Sequence, residues 1–190
     1  MNFDKKIISS LMLKGVFKEH SKIKKELLNL ISKQPGESVR LNDNYYNDNI
    51  SFTDWPTSDN INLPWKKYFL DNFGYVFIEM AKNLGYKDLT IKKLWFQKYK
   101  KGGYHNWHTH ASNYTGVYYL NLPKGSGLTE YIDPNDQKTI FTWEAREGNV
   151  IFFPCYLIHR GVHQSIDKDK IIISWNLDFL TIRQDLLHLK

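Results

Sequence analysis

Apolar residues recur at helical spacing in two segments of the first half of the chain. In residues 21–33 apolar residues recur at helical spacing, and Lys24, Lys25 and Glu26 lie on the other side. A second apolar stripe runs through residues 64–84, and Gly85 follows at the place where a glycine commonly ends a helix. The pattern predicts two amphipathic helices that cover a sheet.

The segment between these helices, residues 34–62, is rich in Asn, Asp, Pro and Ser. It predicts a loop with one edge strand at residues 50–52. A short apolar stretch at residues 7–13 follows two lysines, as in a signal peptide, but Lys14 interrupts it and no small-residue cleavage site follows. We therefore expect it to form the first structural element. No apolar run reaches the length of about 18 residues that crosses a bilayer, so we expect no membrane association.

After Gly85 the pattern changes to short runs of β-branched and aromatic residues separated by turn residues. Such runs predict strands of a sandwich or barrel and not βαβ units. Eight strands suit a jelly roll, and the predicted fold class is α+β, mainly β, with a double-stranded β-helix and N-terminal helices packed on its sheet. The predicted strands span residues 90–99, 104–109, 114–122, 128–132, 139–143, 150–153, 157–162 and 171–179.

Length and composition favour a single domain over residues 1–190. Hydrophobic residues make up 42% and aromatic residues 15% of the 190 positions, which is enough apolar surface to exclude intrinsic disorder. Within the domain we expect a helical support region (1–85), the β-helix core (86–180) and a C-terminal tail (181–190). The single Cys155 cannot form an internal disulfide, which fits a cytoplasmic location.

The formal net charge of +6 raises the question of a nucleic-acid partner. The lysines, however, are spread along the whole sequence, and only four arginines are available for forked contacts with phosphate. This distribution argues against nucleic acid as the partner. The basic balance favours an anionic or acidic partner of another kind.

The candidate chemistry lies in histidines of the β half. His108 and His110 are two residues apart on a predicted strand, so both side chains can point into a barrel. His159, on a distant strand, would complete a site for Fe(II), Zn(II) or Cu(II), metals that imidazole commonly binds. The alternative from the residues alone is that two such histidines are polar groups on a solvated strand face.

A series of ordered motifs narrows these alternatives. The chain resembles the Fe(II)- and 2-oxoglutarate-dependent (2OG) oxygenases, in particular an oxygenase family common in marine bacteria and their phages. A phage gene would place the protein in the host cytoplasm. The resemblance rests on WHTH at 107–110, GVYYLN at 116–121, GL at 127–128, DP at 133–134, GNVIFFP at 148–154, LIH at 157–159 and KIIISWN at 170–176.

The resemblance implies that His108 and His159 bind iron inside a double-stranded β-helix. Typical members of the superfamily carry a carboxylate two residues after the first histidine, whereas this sequence has His110 there. Members of the narrower family often share this histidine, and 2OG, a dianion, can neutralise the charge of a metal held by three imidazoles. The predicted metal ligands and catalytic residues are thus His108, His110 and His159. Glu130 or a water in place of His110 is the alternative.

The resemblance also implies a basic residue on the last core strand that pairs with the distal carboxylate of 2OG. Lys170 occupies this place, where close relatives commonly have Arg, and Tyr119 is the candidate hydroxyl partner. Tyr99 and Asn176 are weaker candidates for the same pocket. The other two nearby histidines, His105 and His163, are expected at the surface or around the site.

The function that follows is a dioxygenase using Fe(II), 2OG and O2, which couples decarboxylation of 2OG to oxidation of a C–H bond. The expected substrate is an unidentified small molecule or protein side chain, and the reaction a hydroxylation. Two alternatives keep the metal: a jelly-roll or cupin protein without 2OG turnover, and a cupin enzyme that uses O2 without an oxoacid. A basic nucleic-acid-binding protein is a third. The oligomeric state stays open, with a homodimer among the options.

Overall fold

A computed structural model describes residues 6–7, 10–40 and 47–182 of the chain. The described part contains two helices, a single 3-10 turn and eleven strands. In chain order these are β1 (Leu13–Val16), α1 (His20–Ser32), β2 (Glu37–Val39), β3 (Ile50–Thr53), the 3-10 turn (Trp55–Thr57), α2 (Pro64–Asn83), β4 (Tyr86–Tyr99), β5 (His105–His108), β6 (Tyr114–Asn121), β7 (Thr129–Ile132), β8 (Ile140–Thr142), β9 (Asn149–Pro154), β10 (His159–Gly161) and β11 (Lys170–Ile182).

The strands form two antiparallel sheets. The larger sheet has seven strands in the order β1-β9-β6-β11-β4-β3-β2, and the smaller has four in the order β5-β10-β7-β8. Because most neighbouring strands in both sheets come from distant parts of the chain, the order is that of a double-stranded β-helix. The predicted fold class is confirmed.

The larger sheet is covered on one face by the helices and on the other by the smaller sheet. Phe69, Phe73 and Phe77, four residues apart on α2, form one buried row that packs against Tyr118 of β6 and Trp175 of β11. Fully burying a phenylalanine stabilises the fold by about 1.5–3 kcal/mol. This row therefore anchors the helices to the sheet that carries part of the site.

Two glycines meet specific steric demands. Gly85 has a φ of 86°, the left-handed conformation that ends α2 as predicted. Gly116 lies where β6 passes under Trp175, and a Cβ there would sit 2.5 Å from the Ile151 carbonyl oxygen and 2.7 Å from the Trp175 ring. The close packing of β6, β9 and β11 thus depends on the missing side chain.

The structure also corrects several expectations. Of the predicted first element at residues 7–13, only Leu13 among the described residues belongs to a strand, and it begins β1, which pairs with β9 at the edge of the larger sheet. Residues 8 and 9 lie outside the described residues. The predicted loop at 34–62 contains β2 as well as β3. The core does not end at residue 180, since β11 continues to Ile182, and the remaining tail lies outside the described residues. In the part of the chain described, neither helix is long and apolar enough to span a membrane.

Candidate metal centre

Three imidazoles converge between the two sheets. His108 ends β5 and His159 begins β10, and the two are direct partners across these antiparallel strands. His110 follows β5, where its backbone N–H donates to the Cys155 carbonyl oxygen at 2.9 Å. One ring nitrogen from each of the three histidines lies within 4.8 Å of those of the other two. Three nitrogens this close together could hold one metal ion.

Backbone carbonyls orient two of these rings. Nδ1 of His108 donates to the Asn106 carbonyl oxygen at 2.6 Å, and Nδ1 of His159 donates to the Leu157 carbonyl oxygen at 2.8 Å. A hydrogen bond of this kind fixes the tautomer, because the proton stays on Nδ1 and the lone pair stays on Nε2. Both rings therefore present Nε2 as a donor atom for a metal ion.

The third ring approaches the second through its own Nε2. The Nε2 atoms of His110 and His159 lie 3.2 Å apart. Since His159 keeps its lone pair on Nε2, His110 donates this hydrogen bond, and its proton has to move from Nε2 before both atoms can share one cation. Of the three rings, His110 is therefore the one whose proton must change position when a metal binds.

Burial keeps the three histidines neutral. Desolvation and the neighbouring His108 lower the pKa of His110 to about 3. Desolvation likewise lowers the pKa of His108, and that of His159 lies well below its usual value. At neutral pH all three rings are uncharged, which is the charge state that binds a divalent cation.

His105 supports the cluster from behind. Its ring stacks on that of His108 with the centroids 3.7 Å apart, and its Nε2 lies 3.6 Å from Oδ2 of Asp48. Its Nδ1 accepts from Nε2 of Gln97 at 3.3 Å. His163, in contrast, is exposed and stacks on Tyr104.

Glu130 lies away from the cluster. Its Oε2 accepts from Nε of Arg160 at 2.8 Å, on the face of β7 opposite to Thr129 and Tyr131. The guanidinium of Arg160 in turn lies over the Trp107 ring. Of the two side chains considered for the third position, His110 lies in the cluster, whereas Glu130 forms an ion pair with Arg160.

Lys170 is a buried cation at the start of β11. Only 1% of the residue is exposed, its Nζ donates to the Gly127 carbonyl oxygen at 2.9 Å, and the ammonium lies 4.6 Å from the centroid of the Tyr99 ring. Desolvation lowers the pKa of Lys170 to about 8. It forms an ion pair with no carboxylate of the described residues, so one cation without an anionic partner faces the interior.

The predicted hydroxyl partner is linked to a residue that the sequence did not reveal. The Tyr119 hydroxyl donates to Oγ1 of Thr129 at 3.0 Å and accepts from the Thr129 N–H at 3.2 Å. Thr129, and not Tyr119, lines a pocket between the sheets that also includes the three imidazoles, called the inner pocket below. A threonine at the start of a short strand carries no sequence signal that separates it from other strand residues.

The two weaker candidates lie on neighbouring strands. The Tyr99 hydroxyl donates to Oε1 of Gln97 at 3.0 Å, so its contact with Lys170 is through the ring. Asn176 is buried, and its Oδ1 has no hydrogen-bond partner among the residues described. It lies two residues after Ser174 on the same face of β11, and Ser174 lines the inner pocket.

The imidazoles of His108 and His110 also line a second cavity, of about 400 Å³, a volume within the range of small-molecule sites. Its walls include the carboxylate of Asp48 and the indoles of Trp55 and Trp95. Asp48 and Trp55 belong to the segment that the sequence predicted as loop, and no motif distinguished them there. The cavity is where a substrate can reach the cluster.

Comparisons with known proteins agree with this geometry. Residues 93–176, from β4 to β11, match a family described as "Putative 2OG-Fe(II) oxygenase". No curated protein matches the sequence significantly.

Solved structures share the fold. One is an oxidoreductase of the 2OG-Fe(II) oxygenase family from Burkholderia pseudomallei, with 14% identity over 90% of this chain and 88% of that one, at a TM-score of 0.69. A prolyl-4-hydroxylase from Pseudomonas putida has 14% identity over 87% and 91%, at a TM-score of 0.61. A prolyl hydroxylase from Trichoplax adhaerens, solved with a hypoxia inducible factor peptide, has 16% identity over 94% and 87%, at 0.62.

The matched segment contains all three imidazoles and Lys170. Fe(II) and 2OG, from which the family takes its name, are its cofactors, and O2 is the oxidant of an oxygenase. The family match covers residues 93–176, less than half of the chain, and together with the shared fold it indicates a 2OG-dependent oxygenase.

Proposed function

We propose that the protein is a dioxygenase that hydroxylates a small molecule or a protein side chain while it converts 2OG to succinate. The observation that carries this proposal is the pairing of a neutral three-imidazole cluster with a buried, unpaired ammonium in one interior. Fe(II), when bound, supplies the oxidising chemistry from O2 and 2OG. The chain's own residues supply binding, orientation and exclusion of water.

His108, His110 and His159 are the proposed metal ligands. The carbonyl oxygens of Asn106 and Leu157 hold two of the rings with Nε2 toward the cluster, so the ligands are oriented before a metal arrives. His110 stands where most members of the superfamily have a carboxylate. A set of three neutral ligands leaves the full charge of the metal, and a dianionic cosubstrate then gains more from binding to it.

Lys170 is the proposed anchor of the distal carboxylate of 2OG. Its ammonium has one hydrogen bond, to the Gly127 carbonyl oxygen, and therefore two N–H donors left for a carboxylate. A buried ammonium without an anion is unfavourable, and a bound carboxylate removes that cost. The Thr129 hydroxyl, which Tyr119 orients, lines the inner pocket and is the proposed donor of a further hydrogen bond to the 2OG carboxylate.

The competing function is a metal-binding jelly-roll protein that does not turn over 2OG. Such a protein has no use for a buried cation, and Lys170 would then lower the stability of the fold without a compensating ligand. The burial of this lysine therefore favours the oxygenase over the metal-binding module.

Succinate formation tests the proposal. Protein loaded anaerobically with Fe(II) is given 2OG and then O2, and succinate is measured by mass spectrometry. We expect release by the parent protein, with loss in His108→Ala and retention in His163→Ala, a matched change of an exposed histidine. A parent protein that binds Fe(II) but releases no succinate above the His108→Ala background would favour the metal-binding module.

A further inference from the structure

We infer that the cavity beside the imidazoles selects substrates that carry a protonated amine, and that Asp48 binds this group. The inference rests on the proposed function for the reaction that follows, but the recognition itself depends on groups that are not metal ligands. It is carried by the charge, the burial and the aromatic walls of the cavity.

Asp48 presents a fixed carboxylate to the cavity. Only 7% of its side chain is exposed, and its Oδ1 accepts from the Asn106 N–H at 2.7 Å. Its other oxygen, Oδ2, lies 3.6 Å from Nε2 of His105, and the residue is part of the cavity wall. Because Asn106 also holds His108 through its carbonyl oxygen, the carboxylate has a fixed position relative to the metal ligands.

The charge of this carboxylate has no cationic partner among the residues described. It forms no ion pair with a lysine or arginine there, and the basic groups near it, His105 and His108, are buried imidazoles stacked on each other. A buried carboxylate without a cation is costly, and a ligand with a positive charge offsets the cost. A protonated amine is the common biological group that supplies this charge together with N–H donors.

Aromatic walls make the cavity more favourable to a cation. The indoles of Trp55 and Trp95 meet edge to face with their centroids 4.6 Å apart, and both line the cavity. The face of Trp55 already holds an ammonium, since Nζ of Lys93 lies 4.3 Å from its centroid. Lys93 is half-exposed and screened by water, whereas Asp48 is buried and acts at close range.

The local chemistry thus opposes the overall charge of the protein. A net charge of +6 favours an anionic partner at long range. Inside the cavity a carboxylate and two indoles select the opposite sign. Lys170, which does not line this cavity, would bind the anionic 2OG, so the amine and 2OG would bind at groups of opposite charge.

Three probes of similar shape test the inference: benzylamine, benzyl alcohol and benzoate. Their binding to Zn(II)-loaded protein near pH 7, with 2OG present and absent, is measured by ligand-observed NMR, so no turnover is needed. We expect benzylamine to bind at least about tenfold more tightly than benzyl alcohol, and benzoate to bind weakest when 2OG is present. Equal binding of the amine and the alcohol would overturn the inference.

Variants locate the effect. Asp48→Asn keeps an oxygen for the Asn106 N–H and should abolish the preference for the amine, whereas Asp48→Glu should retain part of it. Asp71→Asn, the same change on the exposed face of α2, is the matched control and should leave the preference intact. A preference that survives in Asp48→Asn would contradict the assignment. If Asp48→Asn does not fold, the comparison of the amine with the alcohol in the parent protein still decides.

The outcomes separate this inference from the proposed function. A parent protein that prefers the amine but forms no succinate from 2OG would retain the amine site and lose the proposed reaction. A protein that forms succinate but shows no preference for the amine would retain the reaction and lose the amine site.

Discussion

His108 and His159 are direct partners on neighbouring antiparallel strands, although they are far apart in the sequence. The register between β5 and β10 therefore sets the distance between these two ligands, and each ring is further held by a carbonyl oxygen of its own strand or turn. Small changes in strand pairing would move both nitrogen atoms relative to each other. Strand pairing thus fixes two of the three proposed ligands, whereas the third, His110, follows the end of β5.

Replacing either His108 or His159 by Ala should abolish stoichiometric binding of Fe(II) or Co(II). Each change removes one of three nitrogen donors, and two neutral imidazoles form a much weaker site. Isothermal titration calorimetry measures the loss, and circular dichroism checks that the fold is intact. His163→Ala should bind metal like the parent protein. Tight binding in His108→Ala or His159→Ala would remove that residue from the site.

His110 allows a graded test. We expect His110→Asp to retain metal binding, because a carboxylate is the usual superfamily ligand at this place, and His110→Leu to lose most of it. The visible spectrum of the Co(II)-loaded variants reports the ligand set, since replacing nitrogen by oxygen shifts the d–d bands. A spectrum and affinity of His110→Leu that equal those of the parent would exclude His110 as a ligand.

Lys170→Ala should weaken binding of 2OG by about 30-fold or more, because removing one partner of a shielded charge pair costs about 2–5 kcal/mol. The charge-transfer band of the Fe(II)–2OG complex gives the affinity during an anaerobic titration. Lys168→Ala, the same change at an exposed lysine two residues earlier, should bind 2OG normally. Equal affinities in Lys170→Ala and the parent protein would place the oxoacid elsewhere.

The lowered pKa of Lys170 predicts how binding of 2OG depends on pH. Burial disfavours the charged ammonium, so the free protein loses this charge as the pH rises through about 8. The dissociation constant for 2OG should be nearly constant below pH 7 and rise about fivefold between pH 8 and pH 9. Lys170→Arg keeps its charge over this range and should flatten the profile. A rise of the same size in Lys170→Arg would assign the titration to another group.

Two glycine-to-alanine changes should alter stability in opposite directions. Gly116→Ala places a methyl group against the Ile151 carbonyl oxygen and the Trp175 ring and should cost about 1–3 kcal/mol. Gly74→Ala, within α2, meets no atom within 4 Å and should stabilise the protein by about 0.5–1 kcal/mol. Denaturant unfolding measures both. A neutral Gly116→Ala would show that β6 and β11 are packed more loosely than described.

The β half of the fold could be predicted because its strands are rich in β-branched and aromatic residues and are bounded by clear turns. The sequence places all eight of its strands, β4 to β11, with ends that differ by a few residues. β1 could not be predicted in the same way, since three of its four residues are exposed and carry no hydrophobic alternation. Its position depends on pairing Leu13 with Phe152, a contact that local sequence does not encode.

The sequence likewise predicted only some residues of the candidate site, namely those that lie within motifs. The three histidines and Lys170 lie within motifs, so the sequence named them and the structure brings the histidines together. Asp48 lies in a segment rich in Asn and Asp, where a carboxylate is usually solvated. An isolated β-bridge between Asn49 and Tyr104 holds the neighbouring Asp48 at the cavity. This bridge joins distant parts of the chain, so only the tertiary structure reveals it.

β11 serves two parts of the molecule at once. Ile173, Trp175 and Leu177 point to the helices and complete the larger core, while Ile172 and Ser174 line the cavity between the sheets. Selection for a durable fold and selection on the pocket beside the imidazoles therefore act on alternate residues of one strand. A lineage of such proteins can change Ile172 and Ser174 while Ile173, Trp175 and Leu177 keep the protein folded.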